Sequence, residues 1–392
     1  MAKKWLVILA MCATLAASCA KAGGESAVQD GAKGQYRGDL HNTGVFEVSG
    51  LPELTGEKWR MQLGGKTNSS PVLAGETLYI GDEAGAFYAL NADDGSEIWT
   101  FQAQGGIRSS AFVAGGYVYF LDGKSNLYAL DTREGKQAWS VELDNQFAEK
   151  NKDYWDYYYS SAAVAGDTLY LGSEGSLFYA IDRKDGSVIW SYALGSTVHG
   201  KPVVTEDQVY AADNQGKVTA LDRKTGELVW SVTHGSIHGG LAYKDGVLYY
   251  GSRDQYVYAT DANTGKQLWS YRSPSGSWLG SSAAVSEEYV TIGSSDAKVV
   301  HIFKRLGGEH HLDFRLPSRV FGSPSIAGKI AYFGSAYTDN SLGIDAFYAI
   351  DLESGQELWR FDGTKAPILS SPAIGDGVVY YASQDGFVYA LH

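Results

Sequence analysis

Short apolar runs of strand length, separated by turns rich in Gly, Asp and Asn, follow one another along almost the whole chain. In one stretch Ser69-Ser70-Pro71-Val72-Leu73 is such a run, Gly75-Glu76 a turn, Thr77 to Gly81 a second run and Asp82 to Gly85 a second turn. Phe87 to Leu90 reads as a third strand, Asn91-Ala92-Asp93-Asp94-Gly95 as a hairpin with Gly where positive φ is needed, and Ser96 to Phe101 as a fourth strand carrying Trp99. The stretch predicts a four-stranded antiparallel meander. No long window outside the N-terminus shows the period of an amphipathic helix, so the expected class is all-β.

The meander recurs about every forty residues. Its third strand reads Tyr88-Ala89-Leu90, Tyr128-Ala129-Leu130, Tyr179-Ala180-Ile181, Thr219-Ala220-Leu221, Tyr258-Ala259-Thr260, Val300-His301-Ile302, Tyr348-Ala349-Ile350 and Tyr389-Ala390-Leu391. The fourth strand carries Trp99, Trp139, Trp190, Trp230, Trp269 and Trp359, with Leu312, or His311 after a slip of one, in the sixth unit. Small sheets repeating at this period cannot bury both faces alone and stack around an axis, which predicts an eight-bladed β-propeller of four-stranded antiparallel blades. Trp59 precedes the first complete unit, whereas the chain ends at Leu391-His392 after three strands of the eighth. The fragments complement each other, so an N-terminal strand around Trp59 is expected to close the last blade. Packing between blades accounts for the tryptophans at this position.

Lys3-Lys4 followed by an apolar stretch from Trp5 to Leu15 and by Ala16-Ala17-Ser18-Cys19 has the form of a lipoprotein signal. The expected organisation is a signal peptide over 1–18, a flexible tether over 19–34 and one propeller domain over 35–392. Cys19 is the expected lipidation site, and Ala20 after it favours outer-membrane sorting, with the protein facing the periplasm. The alternative, cleavage after Ala20, leaves a protein that is secreted or free in the periplasm. Cys12 and Cys19 are the two cysteines, so the mature chain has no disulfide, cysteine metal site or thiol nucleophile. A formal net charge of −13 argues against nucleic acid and against an anionic lipid surface, leaving a lipid anchor as the contact with a membrane.

Loops of a propeller converge on its axis, so the residues before each innermost strand are the first candidates for function. They are Asn68, Arg108, Tyr159, His199, His238, Gly280, Phe321 and Leu369, with Lys201 just inside. His199 and His238 on adjacent blades suggest a metal, which would want a third ligand that the sequence does not name. Arg108 and Lys201 suggest a small anion, and a polar lining bonded to water is the plain alternative. His310 and His311 read as solvated residues of an outer strand or hairpin. Two enlarged loops lie on the same face as this ring. Asp144 to Tyr159 holds Tyr154, Trp155, Tyr157 and Tyr158, and Tyr337 opens the second, which runs to Asp345; Trp278 joins their rim. Dense aromatics there either recognise a polypeptide or a glycan or fold over the funnel as a plug. Gly-x-Ser-x-Gly, His-Glu-x-x-His and phosphate-loop patterns are absent.

Gln35-Tyr36-Arg37-Gly38-Asp39-Leu40-His41-Asn42-Thr43-Gly44, followed by repeated Ser-Ser-Pro, Leu-Tyr-x-Gly, Tyr-Ala-Leu-Asp and Gly-x-x-x-Trp, resembles the pyrroloquinoline-quinone-like β-propeller repeat family from about Gln35 to the last residue. These motifs build blades and leave the chemistry open. One branch is the quinoprotein dehydrogenases. The other is the non-enzymatic propeller lipoproteins of the outer-membrane barrel-assembly machinery, which Leu90-Asn91-Ala92-Asp93-Asp94-Gly95-Ser96-Glu97-Ile98-Trp99 resembles more. The second branch implies a protein-binding scaffold on the periplasmic side of the outer membrane, with a protein or extended polypeptide as partner and no cofactor. The first implies quinone chemistry, which the missing cysteine pair and missing chamber insertions disfavour; a propeller binding a glycan or small molecule is the remaining alternative.

Replacing Cys19 by Ala is expected to abolish incorporation of labelled fatty acid and to move the protein into the aqueous fraction. Wild-type protein that takes up no label would contradict the anchor.

Overall fold

The computed structural model describes residues 32–145, 160–274, 278–337 and 345–392. They form eight antiparallel sheets around a central channel, and each sheet is a blade. Blade one is Val72–Ala74, Thr77–Gly81, Ala86–Asn91 and Glu97–Gln102, from the axis outward. Blade eight is Ala373–Gly375, Val378–Ala382 and Phe387–Leu391, completed on the outside by Glu57–Gln62. Trp59 pairs with Ala390 as Trp99 pairs with Ala89, so the ring closes through the N-terminal strand as expected.

One contact recurs at the seams between blades. The outer Trp of one blade lies against the hairpin Gly of the next, where a Cβ would come within 2.6 Å of Trp59 at Gly95, 2.6 Å of Trp99 at Gly135 and 2.8 Å of Trp139 at Gly186. Gly95 has φ 74°, so both the space and the backbone conformation call for glycine. The indole N–H then donates across the seam, from Trp59 to the Ala92 carbonyl at 3.0 Å and from Trp230 to the Ala262 carbonyl at 2.8 Å. The ring thus gains apolar burial without leaving its polar edge unsatisfied.

Blade six departs from the repeat and from the expected alignment. Ile302, not His301, holds the alanine position, because Ile302 pairs with Leu312 as Ala89 pairs with Trp99. The third strand therefore aligns as His301-Ile302-Phe303, one residue later than Val300-His301-Ile302. With no Tyr-Ala pair, the run of buried apolar residues offers no mark that fixes register. Leu312 takes the Trp place beside Gly355. His310 and His311 open the outer strand His310–Arg315, one of the two expected places, and are partly rather than fully solvated. His310 stacks on Tyr271 at 4.9 Å and 4°, and His311 Nε2 meets the Glu353 carbonyl at 2.8 Å.

Residues ahead of Trp59 enter the channel. Ala32–Gln35 adds a fifth strand inside the innermost strand of blade two, so the described chain begins within the stretch read as a tether. The chain then turns at Arg37, φ 61°, and passes under four blades in succession. The N–H groups of Val204, Tyr243, Val285 and Ile326 donate to the carbonyls of Leu40 (3.0 Å), His41 (2.8 Å), Thr43 (2.8 Å) and Gly44 (2.8 Å). Arg37 is buried and donates to the Pro324 and Ala283 carbonyls at 3.0 and 2.6 Å. The segment closes one end of the channel.

A ring of serines above it explains the docking. Backbone N–H groups of Ser70, Ser110, Ser282, Ser323 and Ser371 donate to the hydroxyl of the next blade's serine, Ser110, Ser161, Ser323, Ser371 and Ser70, at 2.9–3.2 Å. Blades four and five carry Lys201 and Gly240 in this position instead. Lys201 Nζ donates to the carbonyls of Tyr36 (2.7 Å) and Asp39 (2.6 Å). Gly240 leaves room for Asn42, whose Nδ2 would lie 2.6 Å from a Cβ there. Burial pulls the Lys201 ammonium down to about 7, with Asp39 opposing and Arg37 reinforcing the shift.

Two expectations follow from these contacts. Gly95→Ala should destabilise the protein by about 1–3 kcal/mol more than Gly166→Ala in urea denaturation, because both carry positive φ and Gly166 has nothing within 4 Å of a new Cβ. Equal losses would remove the seam contact from the explanation. For Lys201, the unfolded chain keeps its proton up to the ordinary lysine range while the folded chain releases it near 7. Folding is therefore opposed by this group below about pH 7, and the opposition fades as pH rises. Wild type should gain about 2–3 kcal/mol on Lys201→Met between pH 6 and pH 9 at ~1.4 kcal/mol per unit; a difference that is flat with pH would contradict the burial of the amine.

Candidate functional site

Among the described residues, two concentric rings of repeat positions form the mouth at the other end of the channel. The first is the predicted set before each innermost strand. The second, which the sequence reading missed, sits in the turn between the second and third strands: Glu83, Glu174, Asn214, Arg253 and Gln384 among its polar members. Aligning that turn along the repeat would have found it, since Glu83, Asn214, Arg253 and Gln384 all donate their N–H to the loop before an innermost strand.

Polar pairs between the rings occupy one arc. Arg108 donates to both carboxylate oxygens of Glu83 at 2.8 and 3.1 Å, and Asn68 Nδ2 donates to the same carboxylate at 2.8 Å. Gln384 Nε2 joins from blade eight, donating to Asn68 Oδ1 at 3.0 Å. His199 is buried, with Asn214 Nδ2 3.1 Å from its Nδ1 and Glu174 Oε1 2.8 Å from its Nε2. With Nδ1 accepting from Asn214, the ring proton sits on Nε2. Lys201 faces away from the mouth, into the N-terminal segment.

Aromatic rings fill the opposite arc. Trp278 packs edge-on against His238 at 5.0 Å and against Phe321 at 6.0 Å, and Phe321 meets Tyr337 at 5.8 Å and 85°. The Arg253 guanidinium lies 4.4 Å from the Trp278 ring, a cation–π distance. Phe321 and Leu369 are buried beneath, while Trp278 and Tyr337 are half-buried at the surface. The structure thus joins predicted ring residues, His238 and Phe321, to predicted loop residues, Trp278 and Tyr337, in one patch. Gly280 has Trp278 folded over it, within 3.0 Å of where a Cβ would stand. Tyr154, Trp155, Tyr157, Tyr158, Tyr159 and Cys19 lie outside the described residues.

Between mouth and N-terminal segment the channel narrows to a space of about 20 Å³ lined by Tyr36, Arg108, His199, Lys201 and His238 among others, room for about one water molecule. A wider bowl of about 1380 Å³ lies on the closed face, floored by His41, Val45 and Phe46 and rimmed by Asp245, Glu287, Glu288 and Asp376 with Lys244 and Lys329.

Comparison with known proteins gives two kinds of relative. The outer membrane protein assembly factor BamB of Escherichia coli strain K12 is 29% identical over 170 residues, 41% of this chain and 33% of that protein. Quinoprotein ethanol dehydrogenase of Pseudomonas putida is 27% identical over 135 residues, 29% of this chain and 21% of that enzyme. The matched regions therefore span a third or less of these curated relatives. Among solved structures, BamB from Moraxella catarrhalis superposes with TM-score 0.69 at 21% identity, covering 86% of this chain and 97% of that one. Quinohemoprotein alcohol dehydrogenase from Comamonas testosteroni gives 0.75 at 12% identity, covering 94% and 81%. These likenesses establish the fold alone. The family model described as outer membrane protein assembly factor BamB matches residues 46–153, 158–236, 214–278 and 253–392, and the chain belongs to that family of PQQ-like propellers.

Proposed function

We propose that this protein is a non-enzymatic propeller scaffold, exported and lipid-anchored through Cys19 to the periplasmic side of the outer membrane, that holds extended polypeptide or a partner protein in a role like that of the assembly factors it is related to. The observation that carries this reading is the aromatic arc at the mouth. Trp278 and Tyr337 stand half-exposed on a buried base of Phe321 and Leu369, with Arg253 alongside. Rigid aromatics backed by a packed base, with Arg beside them, are the composition of binding hot spots.

The described residues of the channel favour a reading without a quinone. Among them the space at the channel centre is about 20 Å³, whereas a small-molecule pocket has roughly 300–1,000 Å³. Its floor is Tyr36 of the N-terminal segment, held by a bond from Lys201 to the Tyr36 carbonyl and by the contact of the Tyr36 hydroxyl with Ser371 Oγ at 3.1 Å. Arg108 is engaged by Glu83 and Lys201 by carbonyls, which also weakens the reading of the two as an anion clamp.

The test uses a synthetic peptide of alternating apolar and polar residues with aromatics toward its ends, the pattern of a transmembrane barrel strand. Trp278→Ala and Tyr337→Ala together should weaken its binding by about tenfold or more while changing the melting temperature little. Unchanged affinity in a folded variant would remove the mouth as the binding surface.

A further inference from the structure

Blade six breaks the repeat at three positions that face one another. His301 stands where blade one has Tyr88, His310 where it has Glu97, and Asp313 where it has Thr100, by the strand register. Each difference alone carries little. Together they place two imidazoles and a carboxylate in one cluster, with His301 Nδ1 2.6 Å and His310 Nε2 2.8 Å from Asp313 Oδ1. One ligand atom from each residue lies within 4.8 Å of the other two.

The surroundings are arranged for the same end. Ser273, at the end of the outermost strand of blade five, occupies a place held by Leu63, Ala103, Leu143, Leu194, His234 and Leu316 in other blades, as the same backbone bond made by each of these residues indicates. It is a buried serine in a mostly apolar position, and its Oγ lies 3.2 Å from His301 Nε2. A hydrogen bond there fixes the ring tautomer and leaves Nδ1 to the cluster, as oxygen partners do behind metal-bound histidines. Tyr271 holds the His310 ring by parallel stacking at 4.9 Å. The His301 side chain is 1% exposed and that of His310 31%, so the cluster is rooted in the seam and opens to solvent on one side.

We infer that His301, His310 and Asp313 form a binding site for a divalent transition-metal ion of the zinc type, with the fourth position open to solvent. Two imidazole nitrogens and one carboxylate oxygen suit such ions and not the all-oxygen shells of calcium or magnesium. Metal–ligand bonds of about 2.0–2.2 Å in a tetrahedron put ligand atoms about 3.4 Å apart. The two contacts with Asp313 Oδ1 need to open by about 0.6–0.8 Å, and the two imidazole nitrogens, within 4.8 Å of each other, need to settle at the same spacing. The ion would tie the outer strands of blade six to the seam with blade five, in the one blade whose own outer Trp is replaced, by Leu312.

The test uses tag-free protein stripped with chelator and titrated with zinc or cobalt salts, read by calorimetry and by the visible absorption of tetrahedral cobalt. One equivalent should bind and raise the melting temperature. His310→Ala, chosen because this ring is half-exposed, should weaken binding at least about tenfold and remove the cobalt spectrum. His311→Ala, which removes the ring that faces Glu353, should leave both unchanged. Absence of binding to the wild type, or equal binding by His310→Ala, would overturn the assignment.

Discussion

The seam between blades is where this architecture is decided. A propeller blade has two apolar faces, and each must find a partner of matching shape. Here the partner is an indole ring laid over a glycine that lacks the Cβ it would strike and that already adopts the left-handed conformation. Trp59 over Gly95 is one of these seams, so the N-terminal strand is bound to blade eight by backbone pairing and to blade one by its ring. Ring closure runs through that repeated contact.

Within the ring, serine hydroxyls pass backbone hydrogen bonds from blade to blade, and the exceptions are as informative as the rule. Lys201 and Gly240 interrupt the serines at adjacent blades, and the interruption is filled by Tyr36, Asp39 and Asn42 of the N-terminal segment. Closing one end in this way removes a through-channel and leaves the two faces chemically distinct. One carries an acid-rimmed bowl and the other an arc of aromatics beside an arc of paired polar groups.

Much of the fold was legible in the sequence because its determinants are side chains at fixed spacing. Trp59 and the truncated eighth unit announced closure, and the predicted mouth residues Asn68, Arg108, His199, His238 and Phe321 do converge. Blade six was misaligned by one residue because Ile302 sits where Ala marks the other blades, and a continuous buried run carries no period. The inner segment was invisible for a different reason: Leu40, His41, Thr43 and Gly44 are held through main-chain carbonyls, which any residue supplies. Its trace lay in the Gly-Lys and Gly-Gly pairs that replace Ser-Ser at Gly200-Lys201 and Gly239-Gly240. The partners Glu83, Glu174 and Asn214 are less legible because they sit in a second loop of the repeat whose residue type changes from blade to blade.

The division of the molecule into a closed face and a mouth joins these features to the proposed function. Hydrogen–deuterium exchange of the anchored protein, with and without the barrel-strand peptide, addresses it directly. Amides of Gly44, Phe46, Val204 and Val285 should exchange only through global unfolding in both states, while added protection on binding should appear around Trp278, Phe321 and Tyr337. Rapid exchange across the inner segment, or new protection confined to the bowl around Lys244 and Glu287, would contradict the assignment of the two faces.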